Sequence, residues 1–219
     1  PESSGIYYSD QLIVFEGLLS DAEDDPDVLT AWWASSLAGE LSVDAEPDSS
    51  GQVLGTGYLG EGEHAVTLHA QDSTNKTGSD SVVITVGPPN SAPSCEITAP
   101  ESGSAGEVGA LLSFEALVSD EDIAADWLEV VWSSDRDGEL GTSAPSSAGE
   151  VVFSWSDLSV ATHTISMTVS DEVGATCSDF VVYTVGTPPE VILTAPTSGE
   201  VYNDGDTITF SAQVSDNED

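Results

Sequence analysis

Hydrophobic and polar positions alternate along much of this 219-residue chain with a period of two residues. In "LLSFEALVS", Leu112, Phe114, Ala116 and Val118 recur at every second position, and "HTISMTV" at residues 163–169 follows the same rule. Successive side chains of a β-strand point to opposite faces, so the alternation predicts strands that are buried on one side.

Clusters rich in Gly, Ser, Pro and Asp, such as "APESGSAGEVG", "SDRDG" and "APSSAGE", separate the alternating segments. About seven strands fit between such turns in about 95 residues, which predicts an all-β chain of tandem immunoglobulin-like β-sandwiches. In the strand letters of that fold, we predict B at 110–118, C at 127–134, E at 150–156, F at 163–170 and G at 178–186.

The chain repeats itself at an offset of 99 residues, the separation of Phe15 from Phe114 (114 − 15). The same offset pairs Trp33 with Trp132, and we expect both indoles to face a core. The repeat predicts two copies of one domain, residues 1–87 and 88–186, with residues 187–219 opening a third copy. In the third copy "EVILTA" supplies a first strand, which the first copy lacks.

The net charge of the chain limits the classes of molecule that it can bind. The formal net charge is −38, from 40 acidic residues against one Lys and one Arg, and such a surface repels nucleic acid and anionic membranes. No apolar run approaches the ~20 residues of a membrane span, so we predict no membrane insertion. The acids are spread evenly, which indicates acidic domain surfaces that repel themselves unless salt or bound cations compensate.

The two cysteines, Cys95 and Cys177, are compatible with one disulfide in an oxidising compartment. In a sandwich of this kind the starts of strands A and G lie at the same pole, so the two thiols can approach. Two unpaired thiols are the alternative.

Carboxylates gather in two turns of the second copy, the turn between strands B and C (BC turn, residues 119–126) and the turn between F and G (FG turn, residues 171–176). Both turns, and the segment that enters the domain, lie at one pole of a sandwich. Converging hard oxygen ligands suit Ca²⁺. The predicted metal ligands are Asn90, Ser91, Asp120, Asp122, Asp126 and Asp171, with Asp21, Glu23, Asp27 and Asp72 in the first copy and Asp216 and Glu218 in the third.

The alternative is that these acids are solvated turn residues that serve solubility or life in high salt. The "SSDRDGEL" turn is not an EF-hand loop, because the twelfth position from Ser133 is Ala144, and we expect a solvated turn there. The three histidines form no cluster, and no nucleophile or phosphate-binding motif occurs, so we predict no enzyme.

The segments "GPPNSAPSCEITAP", "FEALVSDED", "VVWSSDRDGEL", "HTISMTVSDEVGATCSD" and "VVYTVG" resemble the tandem PKD-like and bacterial immunoglobulin-like (cadherin-like) repeats of large secreted or cell-surface proteins. The resemblance covers essentially the whole chain. It implies that a calcium ion takes ligands from the entering linker, the BC turn and the aspartate after strand F, which here are Asn90, Ser91, Asp120, Asp122 and Asp171. It also implies a segment of an extracellular bacterial fibre, stalk or adhesin.

Two further expectations concern partners. A polysaccharide-binding module, appended to a secreted enzyme or receptor, would recognise surface glycans through Trp32 and Trp127, and Trp32 should point outward because it neighbours Trp33 on an alternating strand. Otherwise the partners are neighbouring domains or copies of the chain, including a head-to-tail filament in which residues 188–219 complete the first domain of the next molecule. The simpler explanation is an excerpt from a longer repeat array.

Overall fold

A computed structural model describes residues 1–216, in two compact units that divide between Asn90 and Ser91. Nearly all of the regular structure is β-strand, so the predicted all-β class is confirmed. We refer to residues 1–90 as the first unit, to the part beginning at Ser91 as the second unit, and to residues 187–216 within the latter as the third segment.

The first unit contains seven strands in two sheets. Its larger sheet has the order β1-β7-β6-β3-β4, in which β1 and β7 run parallel, and its smaller sheet contains only β2 and β5. The strands are β1 (Tyr7–Tyr8), β2 (Ile13–Leu18), β3 (Thr30–Ser35), β4 (Gly39–Glu40), β5 (Gln52–Gly57), β6 (Gly62–Gln71) and β7 (Thr77–Gly87).

The second unit repeats this plan and adds a strand. Its five-stranded sheet has the order β12-β11-β14-β15-β9, and its smaller sheet has three strands in the order β13-β10-β8. The strands are β8 (Ser94–Ala99), β9 (Ser104–Glu107), β10 (Leu112–Ser119), β11 (Glu129–Ser134), β12 (Gly138–Ser143), β13 (Glu150–Trp155), β14 (Ala161–Ser170) and β15 (Thr176–Gly186). Strands B, C, E, F and G thus correspond to β10, β11, β13, β14 and β15.

Strand C begins at Glu129, two residues later than predicted (129 − 127). The preceding Ala125–Trp127 forms a short 3₁₀ turn, matched in the first unit by Pro26–Val28. The turn brings Leu128 into the core, where it is 4% exposed, and leaves Trp127 outside it. Sequence alternation alone did not separate this turn from the strand that follows.

Each unit has its own hydrophobic core between its two sheets. The core of the second unit centres on Phe114 and Trp132, whose ring centroids lie 5.3 Å apart, and that of the first unit centres on Phe15 and Trp33 at 5.6 Å. All four aromatic side chains are buried. Both tryptophans that were predicted to face a core do so.

A buried histidine fastens the corner at the start of strand F in both units. His163 Nε2 lies 2.7 Å from the Ser159 carbonyl oxygen, which only accepts, so Nε2 is the donor of this hydrogen bond. His163 Nδ1 forms a hydrogen bond with the Ser134 hydroxyl at 2.9 Å. In the first unit the same bonds join His64 to Gly60 O at 2.8 Å and to Ser35 Oγ at 2.7 Å.

Cys95 at the start of β8 and Cys177 at the start of β15 form a disulfide that links the two sheets of the second unit. The two Cα atoms lie 6.1 Å apart, and the bond closes a sequence separation of 82 residues. No free cysteine occurs in the described residues. The alternative of two unpaired thiols is therefore excluded by this structure.

The third segment forms a hairpin of β16 (Glu190–Ala195) and β17 (Ser211–Ser215). Its register copies that of β8 and β10: Ile97 faces Ala116 in the second unit, and Leu193 faces Ala212 in the hairpin. The strands of the hairpin are exposed along nearly their whole length. They correspond to β8 and β10, the first and third strands of the second unit.

Candidate metal centre

The BC turn of the second unit is organised by one aspartate. Asp120 Oδ1 accepts the backbone N–H groups of Asp122 at 2.7 Å and Ile123 at 3.1 Å. Such an Asx turn folds the chain back on the carboxylate and fixes its orientation. Asp120 lies directly after β10, so the strand delivers it to the pole of the sandwich.

A second aspartate organises the FG turn in the same way. Asp171 Oδ1 accepts the N–H groups of Val173 at 3.0 Å and Ala175 at 2.8 Å. Only 7% of Asp171 is exposed, and a buried carboxylate is tolerated only when hydrogen bonds or a cation compensate its lost hydration.

The third carboxylate holds the segment that enters the unit. Asp122 Oδ2 accepts the Ser91 backbone N–H at 2.6 Å, a short charge-assisted bond between the BC turn and the entering chain. Three of the predicted ligand positions of the second unit, Ser91, Asp120 and Asp122, are therefore connected by hydrogen bonds through the BC turn.

Asp120 carries the feature that best fits a cation ligand. Its Oδ2 atom is buried and accepts no hydrogen bond, although Oδ1 of the same carboxylate accepts two. An anionic oxygen that is removed from water without a partner is costly, and a metal ion is one group that would satisfy it.

The last two predicted ligands of this set are Asp126 and Asn90. Asp126 is exposed, in the 3₁₀ turn that follows the BC turn. Asn90 is the last residue of the first unit, and its backbone N–H donates to Asp10 Oδ1 at 3.0 Å. Among residues 1–216, no three Asp, Glu, His or Cys side chains form a preformed metal cluster.

The first unit builds the same turns from the matching aspartates. Asp21 Oδ1 accepts the N–H groups of Glu23 at 2.8 Å and Asp24 at 3.0 Å. Asp72 Oδ1 accepts the N–H groups of Thr74 and Lys76, each at 2.8 Å. The repeated turn geometry explains why aspartate recurs at these positions even without a metal.

The first unit differs by closing its turns with protein groups. Asp24 Oδ2 accepts the Ser73 backbone N–H at 2.9 Å, and Oδ1 accepts the Ser73 hydroxyl at 3.1 Å, so the BC and FG turns are bonded directly. The second unit has Ile123 at the position of Asp24 (24 + 99). Sequence reasoning missed Asp24, because nothing local in the sequence shows that it reaches a serine 49 residues away.

The first unit also carries its own cation beside the turn. Lys76 Nζ lies 4.0 Å from Asp72 Oδ2, and the second unit has Ala175 at that position (76 + 99). The pKa of Asp72 is lowered, first by the Lys76 backbone N–H, then by the Thr74 hydroxyl and N–H and the Lys76 charge, against a smaller opposing effect of burial. Lys76 is 76% exposed, so its ion pair with Asp72 contributes little to stability. The Lys76 ammonium nevertheless places a positive charge beside this turn, and Ala175 places none there in the second unit.

The remaining predicted ligands are less organised. Glu23 is exposed but donates its backbone N–H to Asp21, and Asp27 is exposed in the 3₁₀ turn of the first unit. Asp216 follows β17 and is partly buried, whereas Glu218 lies outside the described residues.

The turn "SSDRDGEL" is solvated, as expected, since residues 135–139 are all exposed. Asp137 accepts the Ser159 N–H at 3.0 Å and the Ser159 hydroxyl at 2.7 Å, and its side chain is only 21% exposed. The pKa of Asp137 is lowered, first by the Ser159 N–H, then by the Ser159 hydroxyl, and also by His163, whose Nδ1 lies 3.6 Å from Oδ2. The Arg136 side chain in the same turn is 62% exposed.

The two tryptophans considered for glycan contact have different surroundings. Trp32 is partly exposed and stacks on His69, with ring centroids 5.0 Å apart and planes 10° from parallel. Trp127 is 62% exposed at the end of the 3₁₀ turn of the second unit. Within the described residues, no helix is both long and apolar enough to cross a membrane.

No family model matches the chain, and no curated protein matches it. Among solved structures, the fibronectin(III)-like modules of Clostridium thermocellum CbhA are similar at a TM-score of 0.59 and 16% identity, over 84% of this chain and 90% of theirs. An I-band fragment of titin matches at a TM-score of 0.41 and 14% identity, over 86% of this chain and 64% of its own. The N-terminal eight Ig domains of the Down syndrome cell adhesion molecule match at 0.41 and 13%, over 88% of this chain and 24% of theirs.

The similarity to the Clostridium modules confirms the predicted fold. The chain is built of immunoglobulin- or fibronectin III-like sandwiches. At this level of identity the comparison concerns the fold alone.

Proposed function

We propose that the chain is a non-catalytic structural segment of an extracellular bacterial fibre, stalk or adhesin, whose second unit binds Ca²⁺ at the pole where the chain enters. The observation that carries the proposal is the buried, unpartnered Oδ2 atom of Asp120. Asp122 and Asp171 provide further carboxylates in the two turns at the same pole. Hard oxygen donors of this kind are what Ca²⁺ prefers.

The cation would supply charge neutralisation and a bridge between turns. Asp120 and Asp122 belong to the BC turn, Asp171 to the FG turn, and Asp122 already holds Ser91. With three carboxylates, the remaining ligands of a six- to eight-coordinate ion would be backbone or amide oxygens and water. Binding would thus restrain the entering chain relative to both turns, which is what a stiffened domain junction requires.

The first unit supports the proposal by contrast. There Ser73 and Lys76 satisfy Asp24 and Asp72, and the turns need no metal to be joined. In the second unit Ile123 stands at the position of Asp24, and the uncharged Ala175 stands at the position of Lys76. We therefore assign the stronger calcium site to the second unit.

An extracellular location fits the disulfide and the surface charge. Disulfides persist in oxidising compartments, and immunoglobulin- and fibronectin III-like domains with disulfides are common outside the cell. A net charge of −38 keeps domains soluble and apart, and bound Ca²⁺ would reduce their repulsion.

The test is calorimetric unfolding of the full chain in chelator and after titration with CaCl₂, with MgCl₂ and NaCl at matched ionic strength as controls. Calcium should raise the melting temperature of the transition that belongs to the second unit, and the other salts should not. Equal stabilisation by NaCl would instead support solvated acidic turns.

A glycan-binding module is the second candidate, favoured by the 62% exposure of Trp127. An exposed indole next to hydrogen-bonding turn residues is suited to stacking on a sugar ring. A glycan screen should then lose binding on Trp127→Ala, with Trp32→Ala as a second variant, while thermal stability is unchanged. A screen without hits would leave the structural proposal as the better one.

A further inference from the structure

The five-stranded sheet of the second unit presents a surface rich in hydroxyl groups to solvent. On β14, buried residues alternate with residues on the solvent side, and the latter are all Thr or Ser: Thr162, Thr164, Ser166, Thr168 and Ser170. On the neighbouring β15, the solvent side carries Phe180 and Val182 among further Thr and Ser residues. We call the solvent side of β14 and β15 the hydroxyl face.

The hydroxyl face carries no charge. The structure describes β14 and β15 in full, and neither strand has an acidic or basic residue on this side. The one carboxylate within them, Asp179, points away from the face toward β8, where its Oδ2 accepts the Ile97 N–H at 2.8 Å. The whole chain has 40 acids among 219 residues, so an uncharged surface of this extent requires an explanation.

The smaller sheet of the same unit provides an internal comparison. Its solvent side carries a glutamate on each strand, at Glu96, Glu115 and Glu150. Leu117 on this side pairs with Glu96 on one neighbouring strand and with Glu150 on the other. Both sheets meet solvent, so the fold itself does not require carboxylates on one face and none on the other.

Hydroxyl groups of the face bond to one another across the two strands. Thr162 Oγ1 lies 3.0 Å from Thr184 Oγ1, and Thr168 Oγ1 lies 3.3 Å from Ser178 Oγ. Such cross-strand pairs satisfy part of the hydrogen-bonding capacity of the side chains within the sheet. Covering the face with a partner therefore costs less desolvation than covering unpaired hydroxyls would.

Phe180 stands within the hydroxyl face and is 60% exposed. Its cross-strand neighbour is Ser166, and Val182 follows it on the same side of β15. The first unit has Ser81 at the position of Phe180 (81 + 99). Aromatic side chains are enriched among the residues that anchor protein interfaces. The second unit therefore has an apolar anchor at a position where the first unit has a hydroxyl.

The absence of carboxylates favours a partner that is itself acidic. A neutral glycan does not demand it, because carboxylates are good acceptors for sugar hydroxyl groups. A second copy of this chain does, since two molecules of formal charge −38 repel each other wherever their acids meet. Two copies can approach closely only through surfaces from which acids are excluded.

We propose that the hydroxyl face packs against the same face of a second copy of this chain, with Phe180 of each copy in the contact. A surface that pairs with itself gives a dimer with two-fold symmetry. The ten residues of β14, with the widths of three adjacent strands, give about 500 Å² per copy. A total of about 1,000 Å² is typical of a weak, reversible interface. The contact joins chains side by side, and it uses none of the residues of the calcium site.

Sedimentation velocity of the full chain in chelator, at physiological ionic strength and increasing protein concentration, tests this contact. Phe180→Glu places a carboxylate on each side of the contact and should weaken association at least tenfold. The matched control is Val152→Glu on the smaller sheet, where Val152 is 62% exposed. It changes the charge equally and should leave association unchanged. The exposed hairpin of the third segment is the same in both variants.

Crosslinking provides a second measurement that keeps Phe180 in place. The native cysteines are joined in the disulfide, so Ser166→Cys adds a single free thiol to the hydroxyl face. A short bismaleimide should link this variant into dimers at least tenfold faster than it links Ser154→Cys, which lies on the solvent side of the smaller sheet. Equal rates, or equal effects of Phe180→Glu and Val152→Glu, would overturn the proposal. A wild-type chain that stays monomeric at every concentration would also overturn it and leave the face to another partner, such as a neutral glycan.

Discussion

Trp132 Nε1 donates a hydrogen bond to Ser143 Oγ at 2.9 Å, whereas Trp33 Nε1, at the same place in the first unit, is buried with no hydrogen-bond partner. The difference arises in the neighbouring strand. Strand β12 extends to Ser143, but β4 ends at Glu40, and Asp44, which stands at the position of Ser143, receives the Glu46 N–H instead. The core of the second unit therefore provides a hydrogen-bond acceptor for the Trp132 indole, whereas the core of the first unit provides none for Trp33.

Ser143→Ala should destabilise the second unit by about 1–3 kcal/mol, because it leaves the Trp132 N–H buried without an acceptor. The matched change Asp44→Ala should have an effect within about 0.5 kcal/mol, since Asp44 is exposed and does not reach Trp33. Calorimetry of the full chain measures both. A loss of the same size in the two variants would show that the indole bond is not responsible.

Asp120→Asn should remove most of the calcium response of the second unit. The asparagine oxygen can still accept the N–H groups of Asp122 and Ile123, so the turn is kept, but a neutral amide replaces the anionic Oδ2. Calcium at about 100 times its Kd stabilises a wild-type site by about 2.7 kcal/mol, and the variant should lose most of this gain.

Asp21→Asn is the control for that change, since it alters the same turn in the first unit. It should leave the calcium-dependent rise in melting temperature intact. Titration calorimetry gives the affinity for each variant directly. Unchanged affinity in Asp120→Asn would remove this residue from the site.

Asp137→Ala introduces the first-copy residue, Ala38, into the second unit. The folded pKa of Asp137 is lowered by the Ser159 bonds and by His163, so its stabilising effect is complete above the ordinary value of 3.8 and is lost as the pH falls through the lowered pKa. We expect a cost of about 1 kcal/mol at pH 7 that fades in strong acid. Urea unfolding of both proteins from pH 7 to 2 measures it, and a pH-independent difference would contradict the linkage.

Reduction of the disulfide should lower the unfolding free energy of the second unit by about 4.5 kcal/mol, because it releases a loop of 82 residues in the unfolded chain. Unfolding with and without reductant measures this loss. The first unit, which has no disulfide, is the internal control. The variant Cys95→Ala with Cys177→Ala should match the reduced protein and no longer respond to reductant.

The strands and the core residues could be predicted from the sequence, because the period-two alternation and the 99-residue repeat indicate the same positions. Phe15, Trp33, Phe114 and Trp132 were placed by these patterns, and all four are buried. The 3₁₀ turn at Ala125–Trp127 was not, since its few residues continue the apolar run of strand C. Local pattern thus predicts which face is buried better than where a strand begins.

Contacts between turns were the part that the sequence could not provide. Asp120 and Asp171 were recognisable because duplication keeps them in register with Asp21 and Asp72. The bond of Asp24 to Ser73 spans 49 residues and exists in one copy only, so neither spacing nor repetition indicated it. Only the packing of the BC turn against the FG turn shows that Asp24 joins them.

The disulfide also determines how the second unit would carry tension. A pull applied along the backbone passes from Cys95 to Cys177 through the sulfur bridge and continues along β15, so the intervening loop bears no load. At about 3.5 Å per extended residue, the disulfide prevents this loop from adding roughly 280 Å to the length of the stretched chain. The first unit has no disulfide, and its first strand, β1, is held by parallel pairing with β7 at Tyr7 and Tyr8. Under force, therefore, the first unit could unravel and lengthen, whereas the second unit would keep nearly its folded length.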